Sequence, residues 1–459
     1  MKLAPRRCRH WLSLIALLAA TPAAFAQVRP TLAFGASGEA GDAAKKAEPA
    51  TSAPTPAAPS FGGPWCERSK LTGDWLGLRG NVAECGITFD TSWTQFYQGV
   101  TGGGRNQEWE YGGRLDYLLN INGEKAGLWK GLFITMHGET RYGQDASGHD
   151  GALLPTNISM AFPRPGEDVS ALTGLKFTQF LSENFLVYFG KINTLDEYQQ
   201  SFAAGKGIDR FMNTAFVFNP IGGRTIPYST LGGGFAILNE LEPVFIFSIF
   251  NPDDTATTIA VDDLFAKGVV FAAEARLPIK PRGLAGHQVI GGTWSSSDYT
   301  AVDRESYVFV PRDGIVAKKK SDSWCAYYAF DQSLWVDPCN PKRGWGIFGN
   351  AGVSDGNPNP IQWFLSAGIG GNSPLRSRAN DTFGAGYFYV GLSDDFKGLF
   401  SGPLLGRVLA QRDEQGVELF YNIAVTPWCH VTTDLQIVEP STRRFDTTVI
   451  AGLRVKLDF

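Results

Sequence analysis

Residues Thr447–Phe459 read TTVIAGLRVKLDF, and their alternation decides the fold. The odd positions hold Thr447, Val449, Ala451, Leu453, Val455, Leu457 and Phe459, while the even ones include Gly452, Arg454, Lys456 and Asp458. One face is apolar and the other charged, which is the period of a strand with two different surroundings. The stretch reaches Phe459 without a polar tail. Such a strand suits a membrane barrel, with the apolar row against lipid and the charged row against a water-filled lumen.

Working back from that strand, Ile87, Phe89, Thr91, Trp93, Gln95 and Tyr97 alternate with Thr88, Asp90, Ser92, Thr94, Phe96 and Gln98. The next segment sets Trp109, Tyr111, Leu115, Tyr117, Leu119 and Ile121 against Glu110, Arg114, Asp116, Asn120 and Asn122. A soluble sandwich also alternates. Two features favour the membrane: aromatic residues gather towards the strand ends, and the polar faces carry full charges. The scan finds segments starting near Ile87, Trp109, Gly131, Ala171, Phe185, Leu231, Glu242, Gly268, His287, Ser323, Gly344, Ile361, Phe383, Gly416, His430 and Thr447. About sixteen strands is an even number, as bacterial single-chain barrels require.

The connections give an independent test, because such barrels have short turns at one end and long loops at the other. Short ones are expected at Glu183–Asn184, Asn239–Leu241, Val336–Arg343 and Thr426–Cys429. Long ones are expected at Gly143–Ser170, Thr194–Thr230, Asn251–Lys267, Ser297–Asp322 and Ser393–Gln415. Gly371–Thr382 is rather long for the short-turn end.

Composition agrees with this reading. Gly (54 residues) and aromatics (13%) are abundant, Met (4) is scarce, and mean hydropathy is -0.11. Met1–Ala26 has the charged end, apolar run and Ala24-Phe25-Ala26 site of a secretory signal. Its removal takes Lys+Arg from 41 to 37 against 45 acids, a net charge of -8. Nucleic acid is therefore not an expected partner. No run of about 18 apolar residues follows, so any membrane span is made of strands. Gln27–Ser60, rich in Ala and Pro, reads as a disordered leader. Phe61–Gly86 reads as a short periplasmic helical segment with Thr72 as its cap, and residues 87–459 as the barrel.

Five cysteines follow the signal: Cys66, Cys85, Cys325, Cys339 and Cys429. Cys66 and Cys85 are the nearest pair that could bridge locally, against the alternative of free thiols that merely pack. No Cys-x-x-Cys, His-Glu-x-x-His, Gly-x-Ser-x-Gly or phosphate-binding Gly-x-x-x-x-Gly-Lys motif occurs. No catalytic residue, metal site or cofactor is expected. The acid pairs Asp253-Asp254, Asp262-Asp263 and Asp394-Asp395 suit a glycosidase poorly, since neighbours on a strand point opposite ways.

At this point the chain resembles the carbohydrate-selective porins of Gram-negative outer membranes, the OprB-type family, over nearly everything after about Leu71. The likeness is carried by Gly73-Asp74-Trp75 with Gly77 and Arg79, Gly190-Lys191-Ile192-Asn193-Thr194-Leu195-Asp196 and Phe211-Met212-Asn213-Thr214. It continues through Val217-Phe218-Asn219-Pro220, Trp335-Val336-Asp337-Pro338, Ser354-Asp355-Gly356-Asn357-Pro358 and Thr426-Pro427-Trp428. The departures are Leu76, in place of the first of a usual Gly pair, and Cys339 in a turn. The resemblance implies an all-β, antiparallel up-and-down barrel of sixteen strands whose external loops fold inward, passing glucose and related sugars.

Sixteen strands enclose a channel too wide to choose among small solutes, so inward loops must narrow it. The candidates are Gly143–Ser170 and Thr194–Thr230; the second contains Phe202, Phe211, Phe216 and Phe218, which need something to pack against. Candidate lining residues on strands are Arg114, Asp116, His137, Glu139, Arg141, Lys191, Glu274, Arg276, Asp434, Arg454 and Lys456. On loops they are Asp196, Tyr198, Asp209, Arg210, Asn213 and Arg224. Expected partners are small sugars, outer-membrane lipid and, through the strand ending in Phe459, the barrel-assembly machinery, with the barrel a monomer or trimer. The alternative functions are a general or anion-preferring porin and, less well supported, a barrel enzyme.

Overall fold

The structure is a computed structural model that describes residues 61–259, 261–310, 314–401 and 409–459. The expected signal and the Gln27–Ser60 leader lie outside the described residues. A helix, α1 (Leu78–Glu84), leads into the first strand. The strands are β1 (Ile87–Gly102), β2 (Trp109–Asn122), β3 (Leu132–Gly143), β4 (Val169–Ser182), β5 (Phe185–Asn193) and β6 (Ser229–Asn239). They continue as β7 (Glu242–Phe250), β8 (Val270–Ile279), β9 (Gly286–Thr300), β10 (Tyr307–Val310), β11 (Gly314–Ala317) and β12 (Lys319–Asp337). The last are β13 (Asn340–Ser354), β14 (Ile361–Asn372), β15 (Thr382–Leu392), β16 (Glu414–Thr426), β17 (Cys429–Glu439) and β18 (Thr448–Asp458).

All but β10 and β11 join one closed antiparallel barrel of sixteen strands, sealed where β18 pairs with β1 in the register Thr94↔Lys456 and Phe96↔Arg454. Closure leaves no open edge, so the ladder itself satisfies the backbone polar groups that hydrocarbon cannot. The two faces differ as the alternation requires. Tyr97, Tyr111 and Leu453 point outward and are 50%, 51% and 40% exposed, while Arg114 and Arg454 point inward and are each 1% exposed. A dry sandwich core is thereby excluded for the Leu453 row.

Strand starts fall within four residues of the expected ones, the largest differences being at β12 and β13. Val336–Arg343 is not a loop. β12 runs to Asp337, which pairs with Asn340 across Pro338-Cys339. The expected loop Ser297–Asp322 also holds the hairpin β10–β11, in which Val308 pairs with Val316. Four residues a side is too short a run for periodicity to register.

Two readings of the N-terminal segment are corrected. Gly77, in left-handed backbone at φ 88°, precedes α1 in place of Thr72, and the Asp74 carboxylate accepts from the Gly80 amide at 2.8 Å. Cys66 carries a free thiol, so it is not bridged to Cys85. The two cysteines are pulled apart by what surrounds them. Trp65 docks on the β16–β17 turn, where its ring meets Trp428 at 4.7 Å, while Gly86 holds the end of β2 through the Asn122 amide. These anchor points lie on opposite sides of β1.

The long connections 144–168 and 194–228 fold into the lumen. Phe211, Phe216 and Ile221 sit at 0%, 2% and 0% exposure against Phe348, Phe388 and Phe420 of β13, β15 and β16. Phe211 meets Phe420 edge-on at 4.8 Å, and Phe216 meets Phe388 at 5.8 Å. Glycines in the wall form the sockets. A Cβ on Gly386 would stand 2.5 Å from the Phe216 ring, and one on Gly384 2.7 Å from the Phe211 ring.

Candidate functional site

With two loops packed against β13–β16, the lumen narrows to a cavity of about 1410 Å³ towards the opposite wall. Its border carries Lys191, Asp196, Tyr198, Asp209, Arg210, Arg224, Glu274 and Arg276. Each is positioned by the fold. Lys191 Nζ donates to the Ala256 and Thr258 carbonyls at 3.0 and 2.8 Å. Arg210 Nη1 donates to the Gln200 and Ala203 carbonyls at 2.8 and 2.5 Å, which fixes the guanidinium at the rim. Arg224 donates to the Thr300 carbonyl at 2.9 Å and lies over the Tyr299 ring at 5.0 Å. Asp209 accepts from Lys456 at 2.5 Å.

On the facing wall, Arg276 lies 3.6 Å from Asp331, which is held by His287 at 2.8 Å and by the Ser201 hydroxyl at 2.9 Å. Tyr327 donates to Glu274 at 2.7 Å, and Asn350 donates to the Tyr198 hydroxyl at 3.0 Å. Aromatic surface alternates with these polar groups. Phe162 and Tyr228 stack at 4.5 Å with 11° between planes, and both border the cavity.

The other candidates hold the loops rather than line the space. Arg114 bonds Asp116 at 2.6 Å, pairs with Glu139, and lies 3.4 Å from the Ser159 carbonyl of loop 144–168. Tyr228 donates to Glu139 at 2.6 Å. His137 borders the cavity but is fully covered, 3.1 Å from Asp116 and 2.8 Å from Asp196, which also pairs with Lys206. Arg141 donates to the Pro163 carbonyl at 3.3 Å and to Gly166, and so pins loop 144–168. Arg454 donates to the Gly207 and Arg210 carbonyls at 2.8 Å each. Asn213 caps the Thr214–Val217 helical turn and donates to Gln436 at 3.0 Å. Asp434 accepts from Gln436 at 2.9 Å.

Sequence reasoning missed Lys206, His287, Tyr327 and Asp331 at the border, and the anchors Glu414 and Glu418. Glu414 accepts from the Leu153 and Leu154 amides at 2.5 and 3.0 Å; Glu418 accepts from the Met212 and Asn213 amides at 2.5 and 2.9 Å. Nothing local in the sequence shows which amides Glu414 and Glu418 meet. Among the described residues, two groups bring metal-type donors within 4.8 Å of one another: Asp116, His137 and Glu139 in the lumen, and Glu108, Glu110 and His149 at the long-loop rim. In the first, Arg114 already occupies the carboxylates.

Loop 144–168 contains a titrating group of its own. Burial pushes the Asp150 carboxyl up to about 8, helped by the nearby Glu414 charge and offset by bonds from Thr156 and Ala152 at 2.7 and 2.8 Å. A carboxyl raised by folding stabilises the fold fully below its unfolded value near 4, and that contribution is lost as pH rises towards 8. The thermal midpoint is therefore expected to fall between about pH 4 and pH 8, and Asp150→Asn to flatten that slope. Melts across this range check it; parallel slopes in both proteins refute it.

The comparisons agree with the geometry. Residues 106–459 match the family described as carbohydrate-selective porin, OprB family. Porin B of Pseudomonas aeruginosa is 26% identical over 132 residues, which span 26% of this chain and 29% of that protein. The high-pH structure of Pseudomonas putida OprB superposes with TM-score 0.72 at 21% identity, covering 86% of this chain and 99% of that one. The low-pH structure of the same protein gives TM-score 0.53 at 15% identity. The short-turn, long-loop barrel with its loop-narrowed lumen and the family match over most of the chain lead to one conclusion: the chain belongs to the OprB family of carbohydrate-selective porins, and its place is the Gram-negative outer membrane.

Proposed function

We propose that the protein passes small sugars by diffusion through the loop-narrowed lumen, with selectivity set where Arg210, Tyr198 and the 194–228 loop face Glu274, Arg276 and Asp331. The observation that carries this reading is the pairing of fixed planar polar groups with aromatic rings around one cavity. Guanidinium and carboxylate groups match sugar hydroxyls, and rings match the apolar face of a pyranose. The border groups are already bonded to the protein, which keeps sugar binding weak enough for release.

The test is sugar block of ion current in planar bilayers. A lost hydrogen bond to a charged group in a wet lumen corresponds to about a tenfold change. Arg210→Ala and Arg276→Ala are each expected to weaken block by roughly that factor, whereas Arg141→Ala changes open-channel noise more than sugar affinity. Unchanged block in both border variants places selectivity elsewhere. A second reading rests on charge. Among the described residues, eight Lys and Arg against six Asp and Glu border the cavity, so the same channel favours anions. Reversal potentials in a salt gradient measure this; a cation preference rejects it.

A further inference from the structure

Ile87 stands on the lipid-facing row of β1 yet is 1% exposed, so protein covers it. Its register partner Ile121, also outward, is 7% exposed, and the two pack with Ala126, Ile134 and Val82 of α1. The helix therefore lies against the outside of the wall at the short-turn end.

The residues just before α1 continue along this outer surface. Trp75 meets Phe89, the next outward residue of β1, at 5.9 Å and 72°. Arg79, only 4% exposed, fastens the segment by donating to the Phe89 carbonyl at 2.8 Å and to Asp90 at 3.0 Å. Its guanidinium also lies over the Trp75 ring at 5.2 Å. Away from the barrel, the turn and the start of α1 present an apolar patch, with Trp75 40%, Leu76 108% and Leu78 41% exposed, while Asn81 and Glu84 further along the helix are exposed and polar.

Backbone geometry makes that exposure costly. Trp75 and Leu76 have φ of 51° and 62°, a left-handed region that bulky residues rarely occupy, and Gly77 follows at 88°. The turn thus projects a leucine clear of the protein, with a tryptophan beside it, on a surface continuous with the lipid-facing belt. Tryptophan with neighbouring leucines is the composition of segments that lie in a membrane interface. We propose that residues 73–84 are an interfacial anchor whose Trp75, Leu76 and Leu78 embed in phospholipid at the headgroup–acyl boundary of the leaflet on the short-turn side. The anchor holds the start of β1, the strand that β18 must meet to close the barrel.

The test uses the full chain reconstituted in vesicles. Emission from Trp75 is taken as the difference between the wild type and Trp75→Phe, a change that keeps the ring contact with Phe89. We expect this emission to be quenched by phosphatidylcholine brominated near the carboxyl end of its acyl chains and to be shielded from aqueous acrylamide. Leu76→Asp is expected to reduce the bromolipid quenching of Trp75 at least twofold. Trp75 emission that ignores bromolipid overturns the proposal, whether acrylamide reaches the ring or a second copy of the chain covers it. Bromolipid quenching that is identical in Leu76→Asp overturns the role given to Leu76.

Discussion

Arg114→Met is expected to be among the most destabilising single changes in the barrel. Arg114 is 1% exposed and satisfies Asp116 and Glu139, themselves 3% and 1% exposed, while reaching the Ser159 carbonyl of loop 144–168. Methionine fills the volume but takes the guanidinium from two buried carboxylates, a loss of about 3–5 kcal/mol. Urea titration in lipid vesicles should show the midpoint falling accordingly. Adding Asp116→Asn and Glu139→Gln removes the stranded charges, so the triple variant should regain most of the loss. A single variant as stable as the parent means that the cluster is solvated and the accounting wrong.

The double variant Phe211→Ala, Phe216→Ala is expected to unseat the constriction without opening the barrel. These rings are 0% and 2% exposed, in sockets made by Gly384 and Gly386 against Phe348, Phe388 and Phe420. Truncating each costs about 3–5 kcal/mol where the surroundings cannot collapse, and sockets on a rigid wall cannot. What then remains of the local anchoring includes Glu418 on the Met212 and Asn213 amides, Arg454 on the Gly207 and Arg210 carbonyls, Asn213 on Gln436 and Asp209 on Lys456. The strands lose no ladder bond. Single-channel conductance should rise severalfold, and vesicle swelling should admit oligosaccharides that the parent excludes, with the β-sheet signal of the folded barrel retained. Unaltered conductance would show that loop 194–228 is not what narrows the lumen.

Both predictions concern contacts between residues far apart in the chain, and there the sequence stops being informative. Alternation is local, because each strand residue is assigned to lipid or lumen by its neighbours two positions away. The barrel, its even strand count, the inward orientation of Arg114, Glu139, Arg276 and Arg454, and the alternation of short and long connections were all legible in this way. The phenylalanines of 194–228 could also be read as needing a partner. Which partner could not be read, since Phe211 meets Phe348 and Phe420 across more than a hundred residues.

The same limit explains why the inward charges divided as they did. By periodicity Arg276 and Arg454 are equivalent; in the fold one borders the cavity and the other is fully covered by the loop backbone at Gly207 and Arg210. Cys66 and Cys85 looked close along the chain, and docking of Trp65 onto Trp428 separated them. From its sequence alone this protein is a two-faced strand repeated until it closes, because lipid and water sort side chains residue by residue. Where the lumen is open and where it is filled was decided only in three dimensions, because loop paths follow no period and settle where distant wall residues leave sockets and unpaired carboxylates.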